Sequence, residues 1–242
     1  MPRALPSFFI AGLTLLAAAS VHADAYDYVV TPYFGSSRPL VRLGWGAADK
    51  REISSTGQSL AVGIAPTSNW YTEAWVSWNR DNGRALSYNG WYWTNQFAIS
   101  SGGRSEWALY TSIWKPDFIN SGWTWSAGPM FQYAGDGFDL NLNLFVYKWL
   151  RPGRYIPAEL QYQAQIKTLL APGWEWGVQA LGETGPVSNP HRFGLQEHLV
   201  GPALFGHRPY AGGSLRWDAG LLLGLNKESP RAQLRAQLGY QF

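Results

Sequence analysis

The sequence predicts an all-β protein, a closed antiparallel transmembrane β-barrel of about 12 strands. Apolar and polar residues alternate with a period of two over segments of about ten residues, near the length that a tilted strand needs to cross hydrocarbon. Aromatic residues make up 16% of the chain, with 14 Trp, and many stand at the ends of apolar faces, where two membrane interfaces favour them. Charged residues account for only 14%, below the usual level of about a quarter.

The first residues have the composition of an export leader. Arg3 supplies a positive charge, an apolar run follows it, and Val21–Ala23 is a small-x-small cleavage site. We therefore predict a signal peptide over residues 1–23, an N-terminal periplasmic segment over 24–37 and the transmembrane β-barrel over 38–242. The segment 24–37 is compatible with a periplasmic arm, an inner plug or the start of an extra strand.

The earlier barrel segments are recognised by aromatic residues at the ends of their apolar faces. Trp70 and Trp78 bracket the smaller residues of the third segment, and Trp123 starts a face in the sixth segment that ends at Tyr133. Rings at both ends and small or aliphatic residues between them are typical of strands that cross two headgroup layers.

The later segments are recognised by strict alternation. Residues 138–146 (FDLNLNLFV) put aliphatic side chains on one face and Asp or Asn on the other. The same separation holds over 159–168 (ELQYQAQIKT) and over the last ten residues, 233–242. A helix would distribute these residues around its circumference, whereas a strand separates them.

The whole chain divides into an even number of such segments, as single-chain bacterial barrels require when both ends lie on one side. The predicted segments are 38–47, 56–65, 69–79, 86–99, 105–115, 122–134, 138–149, 157–168, 174–183, 196–206, 213–225 and 231–242.

The connections between segments differ in length on the two sides of the predicted barrel. Links after even-numbered segments are tight and rich in Gly, Pro and Ser, although the tenth, through His207–Pro209, is somewhat longer. Links after odd-numbered segments are longer or more charged, such as 49–55, and the longest is about 184–196. This asymmetry is typical of barrels with short periplasmic turns and long external loops. The last strand should pair with the first, because an unpaired edge cannot remain in lipid.

The C-terminal strand, with Leu238, Tyr240 and a final Phe242, resembles the assembly signal of bacterial outer-membrane β-barrels. The stretches VTP around Thr31, GPALFG at 201–206 and the C-terminal LLLGLNKESPRAQLRAQLGYQF further resemble a group of uncharacterised proteobacterial outer-membrane proteins. The resemblance implies an outer-membrane location, a barrel fold and the barrel-assembly machinery as a partner. It implies no substrate and no catalytic residue.

The residues opposite the aliphatic faces should line the lumen. Arg42, Arg216 and Arg235 come from segments that are neighbours in a closed barrel, so they should share one wall. The acidic residues expected across the lumen, with Lys167 among them, are Asp139, Glu159, Glu175 and Glu183, and further acid comes from Glu73 and Glu106. A basic wall facing an acidic wall would create a field that sets ion preference. Alternatively, these charges pair across a narrow, filled interior.

One short stretch raises the question of catalysis. Ser188, Asn189 and His191 in SNPHRF loosely resemble the serine–histidine–asparagine site of outer-membrane phospholipase. They lie in the longest predicted loop, beside Pro190, whereas a nucleophile and its base must be held at hydrogen-bond distance. We therefore predict no catalytic residues and expect a polar loop.

Composition excludes several other classes of site. The chain has no Cys, so it can form neither disulfides nor thiolate metal sites. The formal net charge of +3 falls to +2 without the leader and gives no support for nucleic-acid binding. His191, His198 and His207 come from separate places in the sequence, so we predict no metal site and no cofactor.

Together these features predict an outer-membrane barrel that acts as a narrow porin-like channel for small hydrophilic solutes or ions. An occluded structural or assembly barrel is the first alternative, and a lipid-modifying outer-membrane enzyme is the second. The expected partners are outer-membrane lipid, the barrel-assembly machinery and small polar solutes or ions.

Overall fold

The computed structural model describes residues 28–32, 38–50, 53–117, 122–153 and 155–242. The predicted signal peptide, 1–23, and most of the predicted N-terminal segment lie outside the described residues. The barrel itself is described almost completely.

Twelve antiparallel strands form one closed barrel in which each strand pairs with its neighbours in the chain and the first pairs with the last. This confirms the predicted fold class and the predicted number of strands. The strands are β1 (Leu40–Lys50), β2 (Ile53–Thr67), β3 (Trp70–Asp81), β4 (Ser87–Ser100), β5 (Ser105–Pro116), β6 (Trp123–Ala134), β7 (Asp139–Leu150), β8 (Glu159–Ala171), β9 (Trp174–Pro186), β10 (Glu197–Tyr210), β11 (Gly213–Gly224) and β12 (Ala232–Gln241).

The last strand closes the barrel. In the register between β1 and β12, Leu40 stands opposite Gln241 and Asp49 stands opposite Ala232. The backbone N–H of Phe242 donates to the carbonyl of Pro39 at 3.1 Å. β12 is paired on both sides and leaves no edge in the membrane.

The two ends of the barrel differ in the length of their connections. Turns of two to four residues join β2 to β3, β4 to β5, β6 to β7, β8 to β9 and β10 to β11, at the end where β1 begins and β12 ends. We call this the periplasmic end, following the asymmetry of bacterial barrels. At the opposite, extracellular end the longest connection is 187–196, between β9 and β10.

Two connections are shorter than the sequence predicted. β10 extends four residues beyond its predicted end, to Tyr210, and β11 begins at residue 213 as predicted. Only Ala211 and Gly212 remain between them, with φ of 47° and 82°, the two positive values of a tight hairpin turn. At the extracellular end, β1 and β2 run to Lys50 and from Ile53, so the charged stretch 49–55 is largely strand. Pairing in the sheet overrides the loop-like composition of both stretches.

The outer surface is apolar and the wall of the lumen is mainly polar. On β7, Leu142 and Leu144 are 43% and 45% exposed, whereas Asn141 and Asn143 are 1% and 4% exposed. Since exposed aliphatic residues face outward around a closed barrel, the predicted alternation is confirmed. No helix in the described part of the chain is long and apolar enough to span a membrane.

Aromatic side chains form a belt near each end of the outer surface. Such belts place amphipathic rings at the two membrane interfaces, as predicted. Ring pairs at the periplasmic end are Trp70–Phe97, Trp107–Phe131, Trp174–Trp217 and Tyr240–Phe242, and those at the extracellular end are Trp78–Tyr88 and Trp91–Trp123.

A chain of side-chain hydrogen bonds crosses the inner wall. Gln165 donates to Asn141 at 3.2 Å, and Gln179 donates to Gln165 at 2.6 Å. The guanidinium of Arg235, on β12, donates to Gln179, on β9, through Nε at 3.1 Å. A Cβ added to Gly220, on the intervening β11, would lie 3.1 Å from Gln179 Oε1 and 3.3 Å from Arg235 Nε. The absence of a side chain at residue 220 therefore lets Arg235 reach across two strands.

We expect Gly220→Val to displace Arg235 from Gln179 and to lower the free energy of unfolding by about 1–3 kcal/mol, as overpacking of an interior does. Urea denaturation of the barrel in phospholipid vesicles measures this change. Ala219→Val is the matched control, because Ala219 is the preceding residue of β11 and is exposed. Equal losses of stability in both variants would contradict the proposed role of the glycine.

Candidate functional site

The described N-terminal residues, 28–32, contact the inner wall of the barrel. The backbone N–H of Val30 donates to Gln163 Oε1 at 2.9 Å, and its carbonyl accepts from Asn143 Nδ2 at 2.7 Å. Asn143 also donates to Gln163 at 2.9 Å. Two side-chain amides thus satisfy both backbone groups of a residue that is only 6% exposed, as a neighbouring strand would do. We call Asn143 and Gln163 the amide clamp.

Apolar side chains on the inner wall receive the two valines. Val29 packs against Leu181, Leu199 and Leu222. Val30 packs in a second group of buried side chains, which consists of Ala108, Met130 and Phe145 with Tyr110 at its edge. The sequence predicted that aliphatic residues face lipid, and these residues are local exceptions. Their positions in the strands point them into the lumen, where they bury their apolar surface against Val29 and Val30 instead of in lipid.

Tyr28 is held by an aromatic and a cationic neighbour. Its ring stacks on Trp75, with centroids 5.4 Å apart. The guanidinium carbon of Arg42 lies 5.7 Å from the Tyr28 ring centroid and 5.3 Å from that of Trp75. Arg42 also pairs with Glu73 at 3.5 Å, and the Glu73 side chain is 2% exposed. Residue 28 is therefore bound through its ring, and residue 30 through its backbone.

Two cavities lie on either side of this segment. The extracellular cavity has a volume of about 500 Å³, and Tyr28 and Val30 form part of its wall. The periplasmic cavity has a volume of about 400 Å³, and Tyr28, Val29 and Thr31 form part of its wall. The segment Tyr28–Thr31 therefore divides the lumen.

The three arginines that the sequence placed on one wall all line the periplasmic cavity. Arg42 pairs with Glu73, two strands away, and Arg235 pairs with Asp218 on the adjacent strand at 3.0 Å. Arg216 is exposed in the cavity, and among the described residues it makes no ion pair.

The acidic residues occupy three separate places. Asp139 and Glu175 lie 3.6 Å and 2.7 Å from Lys167, on adjacent strands of the periplasmic half. Glu159 and Glu183 share the hydroxyl of Tyr147 in the extracellular half, where Glu183 Oε2 lies 3.2 Å from that oxygen.

Glu106 lies near the periplasmic rim, where it accepts from the backbone N–H of Gly102 at 3.0 Å. Arg42, Arg235 and Lys167 thus each pair with an acidic side chain no more than two strands away. A field between a basic wall and an acidic wall stays a prediction.

The predicted assembly residues occupy the outer surface of β12 and the final position. Phe242 is 55% exposed, and its ring meets that of Tyr240 edge-on at 5.0 Å. The location agrees with a recognition signal at the periplasmic end, and the role in assembly stays a prediction.

The loop considered for catalysis is exposed over residues 187–195. The His191 ring lies against Gly185, since a Cβ added there would be 2.7 Å from His191 Nδ1. The backbone N–H of His191 donates to Thr184, and that of Asn189 donates to Pro186. These contacts shape a loop and do not align a nucleophile with a base.

The other histidines do not converge with His191. Both ring nitrogens of His198 lie 2.7 Å from a polar partner, Tyr162 on one side and Gln196 on the other, and Phe193 stacks on the ring. His207 lies near the opposite end of β10 and lines the periplasmic cavity. Within the described residues, no group of three or more His, Asp or Glu could hold a metal ion.

Comparison with known proteins shows the fold. A scan against protein-family models and a search of curated proteins both find no match. Among solved structures, the COG4313 outer membrane channel from Pseudomonas putida F1 is similar with a TM-score of 0.63 and 8% identity, over 91% of this chain and 100% of that one.

Two porins are similar over slightly less of the chain. The KdgM porin matches with a TM-score of 0.56 and 9% identity, and the NanC porin with 0.54 and 11%, each over 84% of this chain and 98% of the other. At these identities the likeness concerns the fold. A closed barrel with an apolar exterior between two aromatic belts is the architecture of a bacterial outer-membrane β-barrel protein, and its location is that membrane.

Proposed function

We propose that this chain is a narrow outer-membrane channel for small hydrophilic solutes or ions, closed at mid-lumen by the segment Tyr28–Thr31. The observation that carries the proposal is the pair of partly polar cavities, of about 500 and 400 Å³, on either side of that segment. A barrel built only as a scaffold gains nothing from such cavities, since unfilled interior lowers stability.

The segment is bound in a way that suits reversible closure. Two hydrogen bonds with the amide clamp and one aromatic stack hold it, and each contributes about 1 kcal/mol. Burial of Val29 and Val30 adds to these contacts, whereas ordering the segment costs about 1–2 kcal/mol per residue in conformational entropy. The small difference between these terms leaves a minor displaced population, as two-state gates have. Displacement of four residues would join the two cavities.

The experiment is single-channel recording of the purified, folded chain in planar bilayers. The proposal predicts discrete conductance steps of low occupancy, because the closing segment is displaced only part of the time. Absence of steps both in the wild-type chain and in variants with a weakened amide clamp would reject the channel function.

Arg216 should influence which ions pass. Its guanidinium is exposed in the periplasmic cavity and stands opposite His207. We expect Arg216→Gln to lower the anion-to-cation permeability ratio roughly twofold or more, because an uncompensated positive charge enriches anions locally. Reversal potentials across a salt gradient measure the ratio.

Arg104→Gln is the matched control for this change. Arg104 lies in a periplasmic turn outside the lumen, where hydrogen bonding to Asp136 raises its pKa. The same shift in reversal potential in both variants would show that Arg216 acts only through the surface charge of the barrel.

A permanently occluded structural barrel is the second candidate, because the same segment fills the middle of the lumen. It predicts no conductance in any variant that keeps the fold. Recording from variants with a weakened amide clamp therefore separates the two candidates.

A further inference from the structure

A row of aromatic side chains follows the inner wall of the extracellular cavity. Trp75 stands opposite Tyr92, and Tyr92 stands opposite Trp114, on the successive strands β3, β4 and β5. The Tyr92 and Trp114 rings are parallel within 4° at 5.4 Å, and Trp149 meets Trp114 at 5.5 Å and 66°. Thr124 separates Trp114 from Trp149 in the register, and its small side chain lets the two indoles meet.

These four rings face the lumen and do not belong to the aromatic belts on the outer surface. Their chain neighbours Trp91 and Trp93 point outward, 36% and 46% exposed, while Tyr92 lines the cavity. Burial of large rings around a cavity wall, and not within a packed core, presents flat apolar surface to whatever occupies the cavity.

The rest of the cavity wall is dominated by neutral hydrogen-bonding groups. Hydroxyl and amide side chains adjoin the aromatic row, and Glu183 adds one carboxylate. Among the described lining residues there is no Lys and no Arg. The neutral polar residues nearest the row in the strand register include Ser77, Ser112, Thr124 and Ser126.

We propose that the extracellular cavity is a binding site for a neutral saccharide of one or two sugar rings. The C–H face of a pyranose packs on an indole or phenol ring, and its hydroxyl groups exchange hydrogen bonds with the serine, threonine and amide side chains. A volume of about 500 Å³ lies within the range of about 300–1,000 Å³ of small-molecule sites. The inference deepens the proposed function and rests on it for the route by which the saccharide reaches the site.

The charges of the cavity favour a neutral ligand over an acidic one. Glu183 would repel a uronate, and the described lining offers no cation to pair with a buried carboxylate. A small organic cation could contact the same rings, but it would leave most of the hydroxyl and amide groups without a partner.

The test is ligand-observed NMR titration of the full, folded chain in a detergent without sugar headgroups. The probes are the neutral disaccharides maltose, lactose and cellobiose, with galacturonate and tetramethylammonium as the charged comparisons. We expect saturable binding of at least one neutral disaccharide and none of galacturonate. Preferential binding of galacturonate or tetramethylammonium, or no binding of any disaccharide, would overturn the proposal.

Two variants and one control locate the site. Trp114→Leu should weaken disaccharide binding about tenfold, the equivalent of one aromatic stacking contact. Ser126→Phe should abolish binding by filling the cavity while every wall aromatic remains. Trp125→Leu, which removes a 43%-exposed outward indole, should leave affinity unchanged, and an equal loss in this control would refute the site.

The two proposals fail separately. Disaccharide binding without any conductance would remove the channel function and keep the site. Conductance without disaccharide binding would keep the channel and remove the site. Circular dichroism and heat-dependent gel mobility confirm that each variant is folded.

Discussion

Asn143→Ala combined with Gln163→Ala should raise the open probability of the channel roughly a hundredfold. The double substitution removes both hydrogen-bond partners of the Val30 backbone. The backbone N–H and carbonyl of Val30 can then form hydrogen bonds only with water, after the segment is displaced. Leaving two buried backbone groups without partners weakens the closed state by about 3 kcal/mol, and about 1.4 kcal/mol corresponds to a factor of ten. Single-channel recording in planar bilayers measures the open probability directly.

Asn141→Ala combined with Gln165→Ala is the matched control. These two amides lie on the same two strands, two residues along from the clamp, and Gln165 donates to Asn141 at 3.2 Å. The control removes the same chemical groups without touching Val30. An increase in open probability in the control equal to that of the clamp variant would show that general loosening of the lumen, and not release of Val30, admits ions.

Arg42→Met should lower the free energy of unfolding by about 3–5 kcal/mol, the cost of leaving one partner of a buried ion pair alone. The Glu73 carboxylate is 2% exposed and its paired guanidinium is 3.5 Å away. Urea denaturation in phospholipid vesicles, followed by tryptophan fluorescence, gives the change. The same variant loses the contact with Tyr28, so its open probability should rise as well.

The double variant Arg42→Met with Glu73→Gln separates these effects. It removes both charges, and stability should return to within about 1–2 kcal/mol of the wild type, because no unpaired buried charge remains. Arg216→Met is the control for loss of an arginine that is exposed in the cavity, and its stability should change by less than about 0.5 kcal/mol. Equal destabilisation by Arg42→Met and Arg216→Met would refute the buried-pair explanation.

The barrel could be predicted because apolar and polar residues alternate along its strands, which contact lipid on one face and the lumen on the other. Leu142 and Asn143 are adjacent in the chain and opposite in exposure, and a period of two over about ten residues is typical of a strand with one face in lipid and one in the lumen. β1 and β2 extend three residues further into their connection than predicted, and β10 extends four residues further toward β11, because pairing in a sheet continues beyond the alternating pattern.

The division of the lumen could not be predicted in the same way. Its contacts join residues that are far apart in the chain, such as Val30 and Gln163, and no local period encodes them. Leu181 and Leu222 carried a signal, since they occupy inward positions where the rest of the strand is polar or small. The ion pairs of Arg42 with Glu73 and of Arg235 with Asp218 likewise depend on how far each side chain extends across the neighbouring strands. The alternation along one strand does not determine this.

The closing segment remains covalently joined to the barrel wall that it blocks. Seven residues separate Pro32 from Leu40, and a chain of that length spans at most about 25 Å when fully extended. The displaced segment therefore behaves as a tethered ligand with an effective concentration of the order of millimolar. Reclosure should be unimolecular, with dwell times that do not change with the number of molecules in the bilayer.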